Sequence, residues 1–139
     1  VHSLDSDRLA DELDARAGLA ERRLPVLLEV NIAGETSKTG LRPDAVEAVA
    51  QHVAGLPNLE LRGLMAMPPY GIAEDELRHY FAATRELAGG LANSLPAGAM
   101  GKLSMGMSHD YAPAIEEGAT IVRVGTAIFG PRRVGEPAG

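Results

Sequence analysis

The hydrophobic positions of this chain switch regularly between a helical and a strand-like period. After Asp5 or Ser6, which suit an N-cap, Leu9, Leu13, Ala17 and Ala20 recur at helical spacing and predict a helix to about Arg23. Leu24 to Ile32 reads as a strand, with Leu27, Glu29 and Asn31 on one face and Val26, Leu28, Val30 and Ile32 on the other. A polar loop, Ala33 to Arg42, leads to Pro43, which suits the first turn of a helix reaching about Ala54. Leu59 to Met67 is the next strand, and Pro68, Pro69 and Gly71 break it. A helix from Ala73 to about Ala92 follows, weakened at Gly89-Gly90. Lys102 to Met105 is a strand, Asp110 to Glu117 a short helix, Thr120 to Gly125 the last strand, and Ala127 to Phe129 a helical turn. The first residues, from Val1, have the character of a strand end, and Arg132 to Gly139 read as a Pro/Gly-rich flexible tail.

Alternating helices and strands argue for parallel strands joined by crossover helices. A doubly wound open sheet and part of a (β/α)8 barrel both satisfy that order. Glu29, Asn31 and Arg123 fall inside strands, where a sheet covered on both faces calls for apolar residues. A barrel mouth uses polar residues at the carboxyl ends of its strands, so the barrel is favoured.

Composition narrows the functional classes. The chain has 139 residues, enough for one domain with a sizeable core. With three tyrosines, two phenylalanines and no tryptophan, that core must be aliphatic. A net charge of -6 repels a nucleic-acid backbone, and Arg132-Arg133 is too small a basic patch to reverse this. The absence of cysteine excludes disulfides, thiolate nucleophiles and cysteine metal sites. It also fits a reducing compartment, and a cytoplasmic location is expected. No apolar run is long enough to span a bilayer, and no signal-peptide pattern opens the chain.

Candidate chemistry concentrates in KLSMGMSHD (Lys102 to Asp110) and TIVRVGTAIFG (Thr120 to Gly130). Each is a short apolar strand entering a small glycine-containing turn that opens a helix. Backbone N–H groups at Gly106, Met107, Ser108 and His109, with Gly125 and Thr126, make a candidate anion cradle. The same residues also read as an N-cap serine and a tight turn without a ligand. Arg123, in mid-strand, needs a partner if buried, and an ion pair to Glu29 is the structural alternative to a ligand role. Met65, Met105 and Met107 read as core, with one of them able to pack on a flat ring. Asn31 suits either the mouth or a cap for the next loop, and His109 with Asp110 invites an acid–base reading or a cap. His2, His52 and His79 show no metal-ligand spacing.

Together with VHSLDSDRLADEL (Val1 to Leu13), VNIAGETSKTGL (Val30 to Leu41) and LRGLMAMPPY (Leu61 to Tyr70), these two segments resemble the YggS/PROSC family of pyridoxal phosphate homeostasis proteins. The resemblance covers essentially the whole chain in order. It implies the later part, about strands four to eight, of an alanine racemase-like (β/α)8 TIM barrel, with residues 1–131 as a partial cofactor-binding domain. It implies phosphate contacts from Ser108, Gly125 and Thr126 with Gly106 and Met107 beside them, and Arg123 near the pyridine nitrogen. The family's amino-terminal portion, with its Schiff-base lysine, has no counterpart in these 139 residues. Ser37-Lys38-Thr39 resembles the surroundings of that lysine, but its position after the VNI strand makes Lys38 a loop residue that packs or pairs locally.

The resemblance therefore implies weak, noncovalent binding of pyridoxal 5′-phosphate, in a role of cofactor homeostasis without established turnover. Two alternatives remain: a fragment of a racemase or decarboxylase that uses the same cofactor, and a non-binding assembly module. Open strand edges lead to an expected homo-oligomer or a complementary barrel fragment as partner.

Overall fold

A computed structural model of the chain describes residues 1–131. Its elements are α1 (Asp7–Leu19), β1 (Leu24–Val30), α2 (Val46–Ala54), β2 (Leu59–Ala66), α3 (Glu74–Leu91), β3 (Lys102–Met107), α4 (Tyr111–Glu116), β4 (Ile121–Arg123) and α5 (Thr126–Phe129). Every element expected from the pattern forms, with small shifts at the ends. The tail expected at Arg132 to Gly139 lies outside the described residues.

Ser6 caps α1, its Oγ accepting from the Leu9 N–H at 3.3 Å. The helix stops at Leu19, four residues before the expected end. Arg22 N–H bonds to the Ala17 carbonyl and Glu21 N–H to the Gly18 carbonyl, with Glu21 at φ 52°. This is a Schellman ending with glutamate in the position where glycine is the usual signal. Helix α3 continues through Gly89 and Gly90, its Leu77, Phe81, Thr84, Ala88 and Leu91 buried along one side.

The four strands form one parallel sheet in sequential order, β1-β2-β3-β4. The first residues extend it, since Leu4 bridges Leu28 in parallel register and the Glu29 N–H donates to the Leu4 carbonyl at 2.8 Å. Right-handed crossovers in sequential order bring every connecting helix to the same face. The main core lies there: Val26, Leu28 and Val30 of β1, Leu61 and Leu64 of β2 and Leu103 and Met105 of β3 pack with Val46, Val53, Leu77 and Phe81 of the helices. Burying each such side chain contributes about 1.5–3 kcal/mol before entropy.

The other face has a different chemistry. Glu29 pairs with Met65, Met65 with Ser104, and Ser104 with Ile121, so these four form a row across the sheet. Two irregularities set that row. One lies between Val26 and Leu27 opposite Arg62-Gly63, and the other between Ser104 and Met107 at Gly106 (φ 93°). The second bulge brings Met107 into register with Arg123.

Candidate functional site

The carboxyl ends of β3 and β4 and the turns after them build the site. Gly106 is required by packing: a Cβ there would lie 2.6 Å from the Ala114 Cβ and 3.0 Å from the Tyr111 Cα, both of α4. Its absence lets α4 close onto β3. Asp110, 3% exposed, turns its carboxylate back so that Oδ1 accepts from the Met107 N–H at 2.6 Å. The Met107 amide is thus engaged within the loop and is not offered outward. Asp110 also stands 3.4 Å from His109 Nε2, and His109 meets the edge of the Tyr70 ring at 4.9 Å.

Ser108 joins the two turns. Its Oγ accepts from the Gly125 N–H and the Ala127 N–H, each at 3.1 Å, and so ties the end of β3 to the start of α5. The hydroxyl proton has no acceptor among the described residues and remains available to an anion. Thr126 is exposed, and neither its N–H nor its hydroxyl has a partner among the described residues. A Cβ at Gly125 would meet nothing within 4 Å. The space beside this backbone is open, as a phosphate approaching the amides requires. Ser108, Gly125 and Thr126 therefore come together, with free donors on the Ser108 hydroxyl and on Thr126, while the Gly125 N–H is already given to Ser108 Oγ.

Arg123 lies on the face without helices. Its Nη1 donates to Ser104 Oγ at 2.6 Å and its Nη2 to the Ala66 carbonyl at 3.3 Å. The ion pair to Glu29, the structural alternative, does not form; Glu29 Oε1 accepts from Thr39 Oγ1 at 2.8 Å. Burial lowers the Arg123 pKa from its ordinary value, while the charges of Asp110 and Glu29 oppose that shift. Ser104 is fully buried, and His2 Nδ1 lies 2.9 Å from its hydroxyl. The His2 pKa is also lowered, first by burial and then by the amino terminus and Arg123.

A cleft of about 260 Å³ opens on this side, lined by Glu29, Asn31, Thr39, Met67, Tyr70 and Met107 among others. Asn31 caps the following loop, donating to the Glu35 carbonyl at 2.7 Å and accepting from the Glu35 N–H at 3.1 Å. Lys38 pairs with Glu35 at 2.8 Å, the local pairing expected of it. Met105 is buried in the helix-side core and Met65 on the opposite face. No group of three or more metal-ligating side chains occurs among the described residues.

Residues 1–133 match the family described as alanine racemase, N-terminal domain. The chain belongs to this family. Among its relatives, the chain is 45% identical over 133 residues to the pyridoxal phosphate homeostasis protein of Aquifex aeolicus, covering 96% of this chain and 58% of the relative. It is 47% identical over 139 residues to the protein of the same description from Pseudomonas aeruginosa, covering 99% and 58%. The structure of PipY from Synechococcus elongatus with pyridoxal phosphate bound superimposes with a TM-score of 0.85 at 37% identity, over 93% of this chain and 59% of PipY. The chain thus spans a little over half the length of these family members. The resemblance seen in the sequence motifs leads to the same proteins.

Sequence reasoning missed Ser104, His2 and the Ala66 carbonyl. Ser104 reads as part of an apolar strand, and only the pairing of β3 with β4 brings it under Arg123. His2 is 102 residues away in sequence.

Proposed function

We propose that this chain binds pyridoxal 5′-phosphate noncovalently, as about strands four to eight of a (β/α)8 barrel, and contributes to homeostasis of that cofactor. The observation that carries the proposal is the Ser108 hydroxyl, bonded to the Gly125 and Ala127 amides beside an open glycine backbone. Ser108, Thr126 and the Gly125 backbone hold the phosphate, with Gly106 and Met107 shaping the loop. Arg123 faces the ring nitrogen, where a cation keeps that nitrogen unprotonated. Bound pyridoxal phosphate supplies an aldehyde and an electron-withdrawing ring. The residues of this segment bind and orient that group and supply no assigned proton-transfer step.

Three charge-assisted hydrogen bonds at about 3 kcal/mol each, offset by about 4–5 kcal/mol for association, correspond to a dissociation constant on the order of 0.1–1 mM. Absorbance titration of the 139-residue chain with pyridoxal 5′-phosphate measures it. Ser108→Ala is expected to weaken binding about tenfold or more. Equal affinity in the variant, or a borohydride-stable adduct on a lysine of this segment, would refute the proposal.

A second reading concerns assembly. Among the described residues β4 pairs only with β3, and Ile128 and Phe129 beside it are 68% and 86% exposed. An unpaired strand edge beside apolar side chains invites pairing, either with a second copy or with a complementary barrel portion. Sedimentation of the isolated chain at micromolar concentration as a folded monomer would remove this reading. The cytoplasm is the proposed location, supported by the cysteine-free sequence; among the described residues no helix is long and apolar enough to cross a membrane.

A further inference from the structure

We propose that Ser104 is a positioning residue of this site: its buried hydroxyl, oriented by His2, holds the Arg123 guanidinium in a fixed place on the face without helices, as an unneutralised cation. The inference rests on the cofactor reading above and deepens it.

Arg123 has only donors, so Nη1 gives its proton to Ser104 Oγ. The Ser104 hydroxyl has no other acceptor among the described residues, so its proton is assigned to His2 Nδ1, with the His2 ring neutral and protonated at Nε2. The lowered His2 pKa, caused first by burial, favours the neutral ring. The remaining anchor, the Ala66 carbonyl, is neutral as well.

Both nearby carboxylates are engaged elsewhere. Glu29 accepts from Thr39, and Asp110 accepts from the Met107 amide while its other oxygen faces His109. Among the described residues no carboxylate stands within ion-pair distance of Arg123. Its charge is therefore held by neutral acceptors only. An ion pair would cancel that charge and turn the guanidinium toward the carboxylate. A ring nitrogen kept unprotonated by a neighbouring cation needs the charge intact and its position fixed. Ser104 supplies the fixed position without touching the ligand.

The test compares two probes on the intact 139-residue chain, pyridoxal 5′-phosphate and inorganic phosphate. Inorganic phosphate reads the cradle alone, whereas the cofactor reads cradle and ring together. Ser104→Ala and His2→Leu are expected to weaken the cofactor about tenfold while leaving phosphate affinity unchanged. In both variants the bound ring nitrogen is expected to protonate at higher pH, followed by absorbance. His2→Asn, whose Oδ1 replaces Nδ1 as acceptor, is expected to restore the wild-type values.

Parallel losses for both probes would make Ser104 a general packing residue and overturn the inference. So would unchanged cofactor affinity together with an unchanged ring titration. A wild-type chain that binds phosphate but not the cofactor defeats the cofactor reading, and the inference falls with it. Where Ser104→Ala fails to fold, His2→Leu and His2→Asn carry the same comparison at a side chain near the surface.

Discussion

Replacing Gly63 by alanine is expected to break the sheet where β2 meets the start of β3. Gly63 sits at the β2 bulge with φ 155°, paired to Lys102 at the start of β3. A Cβ there would overlap the Lys102 carbonyl oxygen and lie 2.6 Å from its carbonyl carbon and 2.9 Å from its nitrogen. All three are backbone atoms, so no side-chain rotation relieves the clash. Opening this pair forfeits roughly two backbone hydrogen bonds at about 1 kcal/mol each. The backbone conformation costs an alanine about 1–3 kcal/mol more. The sum, about 3–5 kcal/mol, is a large part of an ordinary domain's 5–15 kcal/mol. Urea unfolding followed by circular dichroism should show the midpoint fall with little change in slope. Thermal unfolding should fall by about 10–20 °C. A loss below about 1 kcal/mol would show that β2 and β3 do not approach so closely, and the row from Glu29 to Ser104 would need redrawing.

Two further outcomes follow from the site and its surroundings. Lys38→Ala removes only a partly exposed pair with Glu35, so stability should change by less than about 1 kcal/mol and cofactor affinity not at all. Mass mapping after borohydride treatment of the cofactor-loaded chain should find Lys38 unmodified. His2 carries a lowered folded-state pKa, so its contribution to stability is present above the unfolded value near 6.5. That contribution is lost as pH falls through the folded value. Melting temperature measured below pH 6.5 should therefore fall less in His2→Asn than in the wild type.

Periodicity made the elements legible because each strand and helix carries its own hydrophobic rhythm. The polar residues Glu29, Asn31 and Arg123 marked the face that no helix covers, and the glycine turns marked Ser108, Gly125 and Thr126. What escaped depends on relations between distant residues. The bulge at Gly106 changes which residues of β3 share a face, so Ser104 and Met107 lie on one side although three apart. The Arg123–Ser104–His2 chain links three elements, and no local pattern announces it. Asp110, read as a cap or an acid, spends its carboxylate on the Met107 amide, a choice set by backbone direction. Likewise, the end of α1 carries glutamate where the usual glycine signal would stand.

The Ser108 bridge also has a mechanical consequence. Its oxygen accepts from the Gly125 and Ala127 amides, so one side chain sets the spacing between the turn after β3 and the start of α5. In the proposed cofactor reading, Ser108→Ala would therefore act twice, removing a hydroxyl from the cradle and releasing the two turns from each other.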